Sequence, residues 1–211
     1  MELEKAAFMG RITAGVTHEI KNVLAIIKES AGLMEDLFEL SKDHAPPPRE
    51  KFLRTLTRIS EQVRRGVDLA ANLNEFAHTS DERVAGVELN QAVAQTALLS
   101  QRFARLKGMT LVAETCPKTV PMSTDPLAFQ MLLFHAVELI MGLADAGSVI
   151  TLKPTCDHGN RVLISAEARP DESRETSSLT GSSLWEIIQA TAAELNMTVE
   201  TGGPPLWISI G

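Results

Sequence analysis

Three consecutive prolines, Pro46 to Pro48, interrupt a long helical pattern near the start of the chain. Proline cannot continue a helix, so one helix is predicted over residues 3 to about 42 and a second from Arg49 to about Thr79. Apolar residues recur at steps of three and four, the spacing of helices that pack side by side. They are Phe8, Ile12, Val16, Ile20, Val23, Ile27, Met34 and Leu37, and then Phe52, Leu56, Ile59, Val63, Ala70, Leu73 and Ala77. The pattern predicts an antiparallel helical hairpin.

A single hairpin would leave apolar side chains in water. Leu24, Leu33, Phe38 and Leu69 lie off the two main seams. Closing two hairpins into a four-helix bundle would cover them, so a homodimer is predicted. In the alternative, the rest of the chain covers this surface in a monomer.

From Val87 onward, short strands alternate with helices. Residues 79–83 are predicted as a link, which gives a hairpin domain over residues 1–80 and a second domain over residues 84–211. Its predicted strands are 87–90, 109–114, 120–122, 148–153, 161–168, 197–201 and 206–210. Its predicted helices are 90–107, 126–143 and 182–195, with a turn at 157–160 and a polar stretch at 169–180.

Composition narrows the class of protein. Of the 211 residues, 44% are apolar and 22% charged, as in soluble globular proteins. A net charge of −7 without a basic cluster argues against a nucleic-acid partner. Cys116 and Cys156 are unpatterned and are expected to be free thiols of a cytoplasmic protein. No apolar run approaches the roughly 18 residues that span a bilayer, so no membrane segment is predicted.

His18 lies on the side of the first helix opposite the apolar seam. At about 100° per residue, Val16 and Val23 point toward the seam while His18 points away from it. Its neighbours on the outer side are small or polar: Arg11, Ala14, Gly15, Asn22, Ala25 and Glu29. His18 is therefore expected to face solvent and to be open to a large partner, with Glu19 next to it and Asn22 one turn further along.

The segment Gly10–Asn22, GRITAGVTHEIKN, resembles the H-box of two-component sensor histidine kinases, whose core reads H-E-[IL]-[KR]-N-P. The match fails only at Val23, where the family has a helix-bending proline, so a straighter helix is implied. The resemblance implies that His18 carries a phosphoryl group and that Glu19 accepts the proton of the other ring nitrogen. It also implies that Asn22 can orient water for dephosphorylating a receiver domain.

A receiver domain is expected to dock on the flank of the hairpin below His18. Small and apolar residues ringed by charges suit a transient interface. The residues predicted to contact the receiver are Ala14, Lys21, Ala25, Lys28 and Arg64, with Val63 and Val67 on the facing helix.

The second domain resembles the ATP-binding domain of the same kinases, the Bergerat fold, a sheet with helices on one face. Three positions depart from the family pattern. Glu138 stands where an asparagine holds Mg²⁺. Ala168 takes the place of the adenine-reading aspartate, without the glycines that follow it. Of the last glycine box only Gly181 remains, and Trp185 would fill the space of the phosphates. ATP, Mg²⁺ and resident metals are therefore not expected as cofactors, and autokinase activity is not expected.

These features predict a histidine phosphotransfer protein that exchanges a phosphoryl group between His18 and a receiver aspartate. The receiver brings its own Mg²⁺, and an upstream histidine kinase is a further expected partner. Two alternatives remain open: a sensor histidine kinase or its catalytic fragment with a divergent ATP site, and a non-catalytic scaffold that binds a response regulator.

Overall fold

A computed structural model of the chain describes residues 2–41, 49–155, 160–167, 181–201 and 206–210, without the side chains of residues 40, 41 and 167. The elements are α1 (Glu2–Ser41), α2 (Arg49–His78), β1 (Ala85–Glu88), α3 (Leu89–Leu106), β2 (Thr110–Ala113), β3 (Pro121–Thr124), α4 (Pro126–Leu143), β4 (Val149–Thr155), β5 (Arg161–Glu167), α5 (Ser183–Glu194), β6 (Met197–Thr201) and β7 (Leu206–Ile210). The predicted fold class, a helical hairpin followed by an α/β domain, is confirmed. The predicted turn at 157–160 lies mostly outside the described residues, and the polar stretch at 169–180 lies wholly outside them.

The chain divides into two compact units that do not follow its linear order. The hairpin unit is Thr13–Phe76, and the α/β unit combines Met1–Ile12 with Ala77–Gly211. The first turns of α1 therefore belong to the α/β unit by packing. The domain boundary near residues 80–84 remains a prediction about the chain order.

In the hairpin unit, α1 and α2 run antiparallel. The rings of Phe38 and Phe52 lie 5.1 Å apart, edge to face. Nearer the other end, a Cβ added to Gly66 would lie 3.2 Å from Val23 Cγ1, so the helices approach closely there. The prediction that Leu69 stays in water is wrong: it is 7% exposed because it follows Gly66 by about one turn and shares its seam. Leu24, Leu33 and Phe38 are exposed, as predicted.

In the α/β unit, a five-stranded sheet in the order β2-β4-β5-β7-β6 carries the helices. Only β2 and β4 pair in parallel, and the other neighbours are antiparallel. Strands β1 and β3 form a separate antiparallel pair. Alternate residues of the sheet point into one core with α3, α4 and α5, including Ile150, Leu152, Val162, Ile164, Leu206 and Ile208. This is a two-layer arrangement.

Two expectations about this unit change. Helix α4 is long and apolar enough to cross a membrane by length and composition, but 78% of that window is buried inside the structure, as in a core helix. Cys116 is disulfide-bonded, so the expectation of a free thiol is wrong for this residue. The argument from cysteine usage for a reducing compartment therefore falls away.

Candidate functional site

His18 lies on the exposed side of α1, within the hairpin unit. Gly15 and Val16 before it are buried, whereas Ala14, Lys21, Asn22, Ala25 and Lys28 are exposed. The helix is continuous through this segment from Glu2 to Ser41, in keeping with the absence of proline at Val23. A large partner can thus approach the imidazole and the turns that follow it.

Glu19 is oriented differently from its neighbour. It is 7% exposed, and its carboxylate Oε2 accepts a hydrogen bond of 2.8 Å from Arg65 Nη2 of α2. The Arg65 side chain is 41% exposed, so one end of this ion pair is buried and the other reaches solvent. Arg65 was not predicted as a site residue; its position opposite Glu19 follows only once the register of the hairpin is known.

Helix geometry assigns the exposed residues to two sides of the α1–α2 seam. Taking the contacts of Val23 with Gly66 and Glu19 with Arg65 as the seam, about 100° per residue places His18 and Arg65 on one side. The exposed apolar residues Leu24, Val63 and Val67 lie on the other side. The hairpin therefore has an apolar side and a histidine side. The expectation that Val63 and Val67 flank the receiver together with His18 therefore does not fit this register. Arg64 is exposed and points away from α1, and receiver docking at Ala14, Lys21, Ala25, Lys28 and Arg64 stays a prediction.

In the α/β unit, Glu138 of α4 forms a two-pronged ion pair with Arg11 of α1. Arg11 Nη1 donates to Oε2 at 3.0 Å, and Nη2 donates to Oε1. The same guanidinium lies 5.1 Å from the ring centroid of Phe134 and 5.7 Å from that of Phe103, within reach of cation–π attraction. The Glu138 carboxylate is thus already paired with a side-chain cation.

Two further contacts fix the start of α1 on α4. Phe8 is buried with its ring centroid 5.2 Å from that of Phe134. Lys5 Nζ donates to Asp125 Oδ2 at 2.6 Å, and Asp125 Oδ1 caps α4 by accepting from the Ala128 N–H at 2.9 Å. Because they are three residues apart, Lys5, Phe8 and Arg11 share one face of α1.

His135 of α4 was expected to be a buried histidine with its hydrogen bonds made, and the structure confirms only the burial. It is buried, but its Nδ1 has no hydrogen-bond partner among the described residues. Burial lowers the pKa of His135, an effect that Glu138 and Glu4 oppose and Arg11 reinforces. The ring is therefore a neutral core group at neutral pH.

The start of α5 corresponds to the last glycine box. Gly181 is exposed, and Ser182 caps the helix: its Oγ accepts from the Trp185 N–H at 3.1 Å. A backbone N–H that could bind phosphate is thus already bonded. Trp185 is partly buried against the core, and α5 packs on α4. Ala168 lies outside the described residues.

In the parts of the chain that the structure covers, no group of three or more His, Cys, Asp or Glu side chains is placed to hold a metal ion. The candidate site in the hairpin unit consists of His18, the Glu19–Arg65 ion pair and Asn22.

Comparison with known proteins gave matches only among solved structures. No family model and no curated protein matches the chain. The cytoplasmic segment of histidine kinase QseC is 14% identical, with a TM-score of 0.49 over 71% of this chain and 94% of that one. Acinetobacter baumannii histidine kinase AdeS is 12% identical, with a TM-score of 0.47 over 92% and 97%. A bacterial phosphotransferase is 14% identical, with a TM-score of 0.44 over 97% and 96%. The chain itself folds as a helical hairpin followed by an α/β domain with a mixed sheet.

Proposed function

We propose that this chain is a histidine phosphotransfer protein of a two-component phosphorelay, in which His18 exchanges a phosphoryl group with an aspartate of a receiver domain. One observation carries the proposal: an exposed imidazole within an H-box sequence precedes an ion-paired, buried carboxylate on a two-helix scaffold. A phosphotransfer protein needs a reachable histidine on a rigid element and no nucleotide site of its own.

The chemistry at His18 is an in-line displacement at phosphorus. A neutral ring nitrogen attacks the acyl phosphate of the receiver, and the N–P bond forms as the P–O bond to the aspartate breaks. The bonding electron pair leaves with the aspartate carboxylate. The proton on the other ring nitrogen passes to Glu19, which acts as general base. The receiver supplies the Mg²⁺ that neutralises the transferring phosphoryl group.

Two features of the α/β unit speak against ATP as the phosphoryl source. The Glu138 carboxylate is paired with Arg11, at the position where the resemblance to histidine kinases implies a Mg²⁺ ligand. At the start of α5, Ser182 Oγ accepts the Trp185 N–H, so this N–H is not available to a phosphate oxygen of a nucleoside triphosphate.

A second copy of the chain is the proposed cover for the apolar side of the hairpin. Leu24, Leu56, Val63 and Val67 are 44% to 62% exposed there. A contiguous apolar surface of this kind is typical of an interface. Pairing two such sides would give a four-helix bundle with His18 of each copy directed outward.

The test is transfer of labelled phosphate from a phosphorylated receiver domain in the presence of Mg²⁺. Wild-type protein should acquire an acid-labile label, and His18→Ala should acquire none. His78→Ala, which removes another exposed histidine, should label like wild type. Label acquired from ATP alone would identify a histidine kinase instead. Binding of the receiver without any label would identify a scaffold.

A further inference from the structure

Glu19 is an ionisable side chain in an unusual position for the surface of a hairpin. Only 9% of its side chain is exposed, although it directly follows the exposed His18. Moving a carboxylate out of water costs several kcal/mol unless a partner neutralises it. Arg65 provides that partner at 2.8 Å. The ion pair with Arg65 therefore offsets part of the cost of burying Glu19.

The direction from which Arg65 approaches is informative. Its guanidinium comes from α2, on the same side of the seam as His18, and is itself 41% exposed. A glutamate has three side-chain torsions and would otherwise sample several rotamers. The charged hydrogen bond from Arg65 Nη2 at the edge of the seam restricts the carboxylate to that edge, beside the helix face that carries His18.

We infer that Arg65 is a positioning residue for phosphoryl transfer, which holds the Glu19 carboxylate ready to accept the imidazole proton. This inference rests on the proposed function. Arg65 takes no part in the bonds that form and break: the proton moves from the His18 ring to Glu19, and the phosphoryl group moves from aspartate to nitrogen. Its contribution is to keep the base in one place.

A positioning role predicts a specific pattern of rates. General base catalysis contributes about 100-fold or more, so Glu19→Gln should slow transfer by about that factor. Arg65→Gln should slow it by about 10-fold, because a displaced base is less effective than a fixed one. The double variant should be no slower than Glu19→Gln alone, since Arg65 has nothing left to position. Arg65→Lys should recover part of the loss, because a lysine keeps the charge but not the fork.

The experiment measures label transfer from a phosphorylated receiver over a range of receiver concentrations up to saturation, with variants of the 211-residue chain whose helix content matches wild type by circular dichroism. Arg58→Gln is the control, since Arg58 is an exposed arginine two turns before Arg65 on the same helix, and it should transfer at the wild-type rate. Absence of label on wild-type protein would overturn the proposed function itself.

Other outcomes overturn the inference while leaving the function intact. Transfer by Arg65→Gln at the rate of Arg58→Gln would show that the ion pair is not needed. A double variant slower than Glu19→Gln by a further 10-fold would show that Arg65 acts independently of Glu19. A change confined to the receiver concentration needed for half-maximal rate would make Arg65 a docking residue.

Discussion

Replacing Arg11 by alanine removes an ion pair and two ring contacts from the packing of the start of α1. The guanidinium is bonded to both oxygens of Glu138 and lies over Phe134 and Phe103. Glu138 is 19% exposed and Arg11 45%, so the ion pair lies between the surface and buried limits and contributes about 1 kcal/mol. The two ring contacts contribute roughly 0.5–1 kcal/mol each at a partly exposed site. Arg11→Ala is therefore expected to lower the free energy of unfolding of the α/β unit by about 2–3 kcal/mol.

Tryptophan fluorescence isolates this unit in a urea titration. The chain has two tryptophans, Trp185 and Trp207, and both lie in the α/β unit. Arg11→Ala, Glu138→Ala and the double variant should be compared at one protein concentration. Because Arg11 keeps its ring contacts when Glu138 is removed, Glu138→Ala should cost less than Arg11→Ala. The coupling energy of the pair should be about 1 kcal/mol.

The control is Arg83→Ala, which removes an exposed arginine of the same unit and should leave the fluorescence midpoint unchanged. The reasoning is refuted if Arg11→Ala unfolds at the same urea concentration as this control. It is also refuted if the losses of the two single variants simply add, because the residues would then not interact.

Three further outcomes are expected. Leu24→Asp places a charge on the 58% exposed apolar side and should convert a dimer into a folded monomer, measured by sedimentation. Burial lowers the pKa of His135 below its value in the unfolded chain. Between these two pKa values the unfolded chain therefore binds more protons than the folded protein. Stability should thus fall as pH drops through the ordinary histidine range and level off below the folded pKa, and His135→Gln should flatten this profile. Glu138→Asn introduces the residue that histidine kinases have at the matching place. Calorimetry should still give no heat with ATP and Mg²⁺, because Ser182 Oγ already accepts the Trp185 N–H at the start of α5.

Local signals explain why the elements were predictable. Asp125 caps α4 and Pro126 occupies its first turn, and both are start signals that can be read in the sequence. The predicted bounds of α4, β6 and β7 match the observed ones, because each is set by residues within a few positions of its end. The exposure of His18 was equally local, since it depends only on the angle between His18 and the apolar seam.

Partners across the structure were not predictable, because periodicity contains no information about them. Arg65 and Glu19 are 46 residues apart, and Arg11 and Glu138 are 127 apart. The disulfide at Cys116 and the burial of Leu69 likewise depend on which elements meet. Leu69 lies about one turn after Gly66, where the two helices approach closely. The sequence does not show that approach, so it did not place Leu69 in the seam.

The Arg11–Glu138 pair also bears on the proposal that ATP is not the phosphoryl source. The resemblance to histidine kinases implies an asparagine that holds Mg²⁺ at position 138. An asparagine there would leave the Arg11 guanidinium beside the rings of Phe134 and Phe103 without a carboxylate. A metal ion bound there would then face the guanidinium, and two cations at close range repel each other. Replacing Arg11 as well would remove its contacts with α4, which are expected to stabilise the α/β unit. A substitution at position 138 alone is therefore expected not to create a Mg²⁺ site.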